Sequence, residues 1–215
     1  MANLTSDTLY HQLRQDILEQ NIAHGSVLKQ EELSTRYGVS RIPIRDVLQR
    51  LKSEGWLIPS GKCGVMVNPL TAAEAEDLYL MRMRLEPLLL GYAIPHISNK
   101  RLGEAIDILE QLTSKDLNAQ QHGELNWQFH TCLCQAANRP TLQNTIHNLH
   151  QLCSRYIGFH AMQLDYVDTA HNEHIALIAA IKEKQIEAAQ AILTEHIQKA
   201  GQILVSYLSN QAVKS

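Results

Sequence analysis

The stretch Gly38-Val39-Ser40-Arg41-Ile42-Pro43-Ile44-Arg45-Asp46-Val47-Leu48-Gln49-Arg50-Leu51 decides how the rest of the chain is read. Ile44, Val47, Leu48 and Leu51 recur at helical spacing, so one face of a short helix is apolar. Arg41, Arg45, Gln49 and Lys52 fall on the other face. Ser40 is a suitable N-cap, and Pro43 is tolerated because the amides of a first helical turn have no partner inside the helix. Upstream, Gln30 to Tyr37 reads as a helix that Gly38 stops, since glycine readily takes the left-handed conformation of a helix C-terminus. Further upstream, Leu9, Leu13, Ile17 and Leu18 mark a first helix, with Gly25 ending that segment. Downstream, Gly55 closes the basic helix. Trp56-Leu57-Ile58 and Val65-Met66-Val67 then read as two strands around the turn Pro59-Ser60-Gly61-Lys62.

Two helices joined by a tight glycine-containing turn, the second basic and followed by a hairpin, describe a winged helix-turn-helix. Residues 36 to 52 hold Arg36, Arg41, Arg45, Arg50 and Lys52 against Asp46 alone. That local positive patch is the footprint of a phosphate-binding surface. Arg41 and Arg45, one turn apart, can reach a guanine edge or flanking phosphates, and Ser40 can offer its hydroxyl or amide to a phosphate at the positive end of the helix. Ile42 shares that first turn. Arg36 and Gln49 are further candidates, as are Gly61, Lys62 and Gly64 at the hairpin tip.

The wider composition agrees with a folded chain. Its 215 residues are 45% hydrophobic and 19% charged with only 10 Gly and 6 Pro, which excludes disordered and collagen-like classes. Net charge is −3 overall. Residues 1–70 carry 8 basic and 7 acidic side chains and residues 71–215 carry 11 and 15, while nine of the 11 histidines lie in the second part. Pro69 marks the boundary, giving an expected DNA-binding domain over 1–70 and an effector-binding and dimerisation domain over 71–215. In the second part the period stays near 3.6. Thr71-x-x-Glu74 reads as a capping box, and breaks at Pro95, Asn118, Asn138-Arg139-Pro140, Gln163 to Val167 and Lys184 leave six helices, with Pro87 expected to kink the first or shift its register. The fold expected is therefore mainly α, a winged helix-turn-helix followed by a six-helix bundle. No apolar run reaches the ~18 residues of a bilayer span, and the start lacks a signal-peptide core, so no membrane role and a cytoplasmic location are expected. Cys63, Cys132, Cys134 and Cys153 read as reduced thiols, and Cys132-x-Cys134 lacks zinc-knuckle spacing.

Histidines stand out in the bundle. Asn126 and His130 lie four apart on one helix face, His174 sits in the next-to-last helix and His196 in the last. Three imidazoles from three helices can converge in a core, which is how bundles build metal sites. Arg82 suits a carboxylate clamp for an effector, or an ion pair with Glu86 one turn on. Arg155 and Tyr156 are candidates for the same cavity, and His147 and His150 are expected to be exposed.

Two resemblances extend this reading. Gly38 through Leu51, followed by Glu54-Gly55-Trp56-Leu57, resembles the signature of GntR-type bacterial transcription regulators. By that resemblance Ser40, Arg41 and Arg45 fall on DNA-contacting positions, and the wing glycines with Lys62 enter or flank the minor groove. Arg82 to Glu86, Asn126 with Phe129-His130, Glu173 to Ile181 and His196 resemble the FadR C-terminal (FCD) domain, in which an Asp and three His hold a divalent metal. The six-helix count resembles the VanR-like branch. The family's aspartate position is Asn126 here, and an amide oxygen is a weaker ligand than a carboxylate. Either His130, His174 and His196 bind Zn²⁺ or Ni²⁺ with a water or effector oxygen completing the shell, or the imidazoles hydrogen-bond an acidic effector directly. The resemblance implies a ligand-responsive regulator, and repression relieved by the effector is the expected sign. It would be a homodimer on an inverted-repeat operator in double-stranded DNA, with a small carboxylate as effector. The alternatives are a His-rich helical metalloenzyme or a DNA binder without an effector, although HExxH, GxSxG, P-loop and GxGxxG motifs are all missing from the sequence.

Overall fold

Thr5 opens α1 (Ser6–Leu18) by accepting a hydrogen bond from the Thr8 amide, and Leu9, Leu13 and Ile17 are buried along one face. The helix ends well before Gly25, because Gln20 already has a left-handed φ of 60°. The freed residues turn the chain into a short strand that its sequence did not signal, β1 (Val27–Leu28). Next come α2 (Gln30–Tyr37) and α3 (Arg41–Ser53), separated by Gly38 at φ 64°. Strands β2 (Leu57–Ser60) and β3 (Gly64–Val67) pair antiparallel, and β1 adds to the far edge of β3, so the order is β1-β3-β2. At Gly64 a Cβ would come within 2.8 Å of the Ser60 carbonyl oxygen, so the close of the hairpin admits only glycine. Leu9, Leu13, Ile17, Ile44, Leu51 and Trp56 fill the core beneath, each large side chain stabilising by roughly 1.5–3 kcal/mol through removal from water.

The computed structural model describes residues 5–61, 64–114, 116–163 and 167–212, and the chain divides into the units Met1–Leu70 and Thr71–Ser215. The second unit has six α-helices among the described residues: α4 (Ala72–Ala93), α5 (Asn99–Gln111), α6 (Ala119–Cys134), α7 (Pro140–Gln163), α8 (Val167–Lys182) and α9 (Ile186–Ala212). Short 3₁₀ turns follow α4 and α6. The mainly α, six-helix expectation therefore holds. Helix α4 runs on through Pro87, whose carbonyl accepts a hydrogen bond from Gln190 of α9 at 2.9 Å. Tyr79 of α4 lies so close to α9 that a Cβ on Gly201 would sit 2.8 Å from the tyrosine's own Cβ. The capping box at Thr71 is only half formed. Thr71 accepts from the Glu74 amide, but the Glu74 carboxylate leaves the cap to bind Arg155 and Tyr156 of α7. No described helix is long and apolar enough to cross a membrane.

Candidate functional site

The first unit presents a basic face because α3 is amphipathic. Its inner residues Ile44, Val47, Leu48 and Leu51 are buried, which forces Arg41, Ile42, Arg45 and Gln49 outward, all of them exposed. Ile42 keeps 65% of its surface in solvent, where a branched apolar side chain can meet a thymine methyl. Ser40 caps α3 without spending its side chain on the cap, so its hydroxyl and the first-turn amides stand ready for an external anion. Arg41 pairs with Glu31 at 3.2 Å and Arg45 with Asp46 at 3.6 Å, all four strongly exposed. Exposed pairs of this kind contribute at most about 1 kcal/mol, so exchanging the carboxylate for a phosphate costs little.

Arg36 differs from these. Its guanidinium donates to Asp16 at 2.9 Å, Tyr37 donates to the same carboxylate oxygen, and the arginine thereby ties α2 to α1. A groove of about 710 Å³ runs beside α3, lined by Lys29, Arg45, Gln49, Lys52 and Gly64 among others. Lys29 escaped the sequence reading because only the pairing of β1 with β3 carries it alongside α3. Gly61 sits in the hairpin turn at φ 60°, and Lys62 lies outside the described residues.

In the second unit α6, α8 and α9 bring His130, His174 and His196 together. One ring nitrogen from each lies within 4.8 Å of the others, and the side chains are almost fully buried. Nε2 of His130 and of His174 are buried with no hydrogen-bond partner. Orphaned polar atoms in a core cost free energy unless something completes them. Burial, reinforced by the neighbouring imidazoles, holds both rings well below the ordinary histidine range, so each keeps a free lone pair at neutral pH. Three imidazoles in a closed space, those of His130 and His174 held neutral by burial, fit a borderline divalent ion such as Zn²⁺. On this test the residues suit a metal. Asn126, half-buried, stands one helical turn before His130 on α6.

Beside the histidines runs a buried ionic chain. Arg82 Nε donates to Glu86 Oε1 at 2.6 Å, and His150 Nε2 shares that oxygen at 2.9 Å. His150 was expected at the surface. It is instead 4% exposed and stacked 3.7 Å from the Trp127 ring, because α7 turns that face toward α4 and α6. His147 is exposed as expected. Burial alone would raise the Glu86 pKa, but the Arg82 guanidinium and His150 hold it far below the carboxylate range. Burial lowers His150 to about 4 despite that carboxylate.

A cavity of about 440 Å³ opens next to His130, lined by Glu86, Arg101, Trp127, His130, Thr131 and Gln143 among others. Arg82, Arg155 and Tyr156 do not line it. Arg82 forms the ion pair with Glu86, and Arg155 and Tyr156 anchor the start of α4 through Glu74, Arg155 at 2.5 Å. Arg101, Trp127 and Gln143 were missed because they come from three different helices, a convergence that no local spacing records.

Two family models match the chain, the FCD domain over residues 77–199 and the bacterial regulatory proteins of the gntR family over residues 5–67. The chain belongs to the GntR family and carries an FCD domain. This GntR/FCD protein is 26% identical to the HTH-type transcriptional regulator YdhC of Bacillus subtilis over 87% of this chain and 85% of that one. It is 26% identical to the HTH-type transcriptional repressor RspR of Escherichia coli over 89% and 85%. The crystal structure of a GntR-family regulator from Pseudomonas syringae pv. tomato superimposes with a TM-score of 0.62 at 27% identity, covering 100% of this chain and 90% of that one. These relatives are transcriptional regulators. The GntR/FCD protein is accordingly a regulator of transcription and not an enzyme, which removes the metalloenzyme alternative.

Proposed function

We propose that this GntR/FCD protein is a cytoplasmic homodimeric repressor that reads an inverted-repeat operator in double-stranded DNA and releases it on binding a small organic acid. Ser40, Arg41, Ile42, Arg45 and Gln49 of α3 enter the major groove, Gly61, Lys62 and Gly64 track the minor groove, and Lys29 and Lys52 flank the phosphates. The observation that carries this reading is the outward stand of Arg41 and Arg45 on a helix whose opposite face is wholly buried. Similarity to a repressor supports the sign of regulation. The six helices of the second unit support the VanR-like branch.

The effector's place is the cavity beside His130, whose volume suits a small ligand. His130, His174 and His196, with Asn126 at the edge, hold a divalent metal, Zn²⁺ or Ni²⁺, to which a carboxylate can bind. The metal supplies a fixed positive charge there. Arg82 acts from behind Glu86, and Arg155 with Tyr156 couples α7 to the start of α4, so a ligand that shifts α6 or α7 is felt at the head of the domain. Effector binding must favour one dimer state over the other, typically by ~1–3 kcal/mol.

The dimer forms along α4, where Leu80, Met81 and Leu88 are each more than 40% exposed on one helix. A second copy laid antiparallel and centred between Leu80 and Met81 sets Arg84 against Asp77 of the partner subunit. Neither residue makes an ion pair among the described residues, so the face is complementary to itself in charge as well as apolar.

Fluorescence anisotropy with a duplex taken from upstream of the protein's own gene tests the reading. Binding should weaken steeply with salt, and Arg41→Ala/Arg45→Ala should lose it. Wild-type protein that ignores the duplex at low salt overturns the proposal.

A further inference from the structure

We propose that Glu173 is a positioning residue for the metal centre and restores from outside the ligand shell the negative charge that Asn126 does not supply within it. The inference rests on the reading of His130, His174 and His196 as metal ligands. It starts from a chain of contacts that the ligand set leaves unexplained. Glu173 Oε2 lies 2.7 Å from His196 Nδ1, and Glu173 Oε1 accepts from Lys199 Nζ at 3.0 Å. Glu173 is only 15% and His196 only 8% exposed in their side chains.

The consequence for His196 is specific. A carboxylate can only accept, so a His196 that ligates a cation keeps its ring proton on Nδ1, toward Glu173, and has Nε2 left to bind the ion. A carboxylate behind a ligating imidazole also makes the ring a stronger donor. Asn126, one turn before His130, offers an uncharged amide oxygen, so three imidazoles and an amide would leave a dication without any counter-charge among its ligands. Glu173 supplies one from the next layer, one residue before His174 and on the same helix. Lys199, also held by Glu195 at 2.8 Å, tempers that charge.

Glu173 and its partner Lys199 therefore act on the site in opposite directions, and this separates an electrostatic role from a merely structural one. The test is Zn²⁺ affinity of the full-length chain, measured by competition with a chromophoric chelator at fixed pH, alongside melts of the metal-free proteins. Glu173→Gln keeps the shape and removes the charge, and it should weaken Zn²⁺ binding roughly 10–100-fold with the metal-free melt unchanged. Lys199→Met removes the opposing cation from a half-exposed position and should tighten binding several-fold. Bound Co²⁺ should show a shifted visible spectrum in Glu173→Gln. Wild-type Zn²⁺ affinity in Glu173→Gln overturns the inference, and so does equal weakening in both variants. If Glu173→Gln does not fold, Lys199→Met decides: tightening supports the inference and any other result overturns it. A wild-type chain that takes up no Zn²⁺ instead overturns the metal reading on which the inference stands.

Discussion

Arg41 and Arg45 of the first unit, where we propose that DNA is met, stand in solvent on the outer face of α3, each held by one weak exposed ion pair. The candidate site groups of the second unit lie inside a bundle, with His130, His174 and His196 at 4%, 3% and 6% exposure and two ring nitrogens left without partners. The contrast fits the ligands proposed for the two sites. DNA is large and brings its own counterions, so a rigid surface can bind it by releasing those ions, at small desolvation cost, and read it with side chains already turned outward. A metal or small acid is held tightly only where water is excluded and each donor is set by the packing around it. The inner site therefore depends on the stability of the whole bundle, whereas the outer one needs only a firm helix.

That independence can be broken by experiment. The largest effect is expected from Arg41→Ala/Arg45→Ala, which should cost about 1–3 kcal/mol of DNA binding per base-reading arginine yet leave Zn²⁺ uptake and the melting temperature as they are. Its mirror image is His174→Ala. Elemental analysis should show the metal gone, and the metal-linked stabilisation, about 2.7 kcal/mol at a hundredfold excess over Kd, should vanish, while metal-free DNA affinity holds. If either variant abolishes the other unit's function, the two sites are not separable.

Smaller effects sharpen the picture. Gly201→Ala forces a methyl against Tyr79 and should lose about 1–3 kcal/mol of stability by overpacking, offsetting the ~1 kcal/mol that alanine gains in a helix. Acid should loosen the bundle next. Folding lowers the His150 pKa from 6.5 to about 4, so the unfolded chain binds protons first as pH falls. The stability is full above about pH 6.5 and is lost on the way to pH 4, and melts at pH 7.5 and 5 should show the lower transition at pH 5. The smallest change is expected from Arg36→Ala, which cuts the tie to Asp16. DNA affinity should stay within about threefold of wild type, in contrast to a base-reading arginine.

Local periodicity made α3 legible down to its outward side chains, because an amphipathic helix on a small core has only one way to face. The strand β1 was not legible, since two residues carry no pattern and its pairing with β3 is a long-range event. The bundle's helix count was read from its breaks, and the three histidines were singled out by their placement on three helices together with the resemblance to the FCD domain. What spacing could not show was their company. Glu173 was given no role of its own beside His174, His150 looked like one of an exposed pair, and Glu74 looked like half of a capping box. Each was redirected by a partner 23 to 81 residues away, a separation at which sequence pattern says nothing about contact.

Hydroxyl-radical footprinting of the wild-type protein on its own upstream region tests the central claim most directly. The account predicts two protected patches on one face of the duplex, about 10 base pairs apart or a multiple of that, both erased in Arg41→Ala/Arg45→Ala. A single patch, or a footprint that survives loss of both arginines, would contradict it.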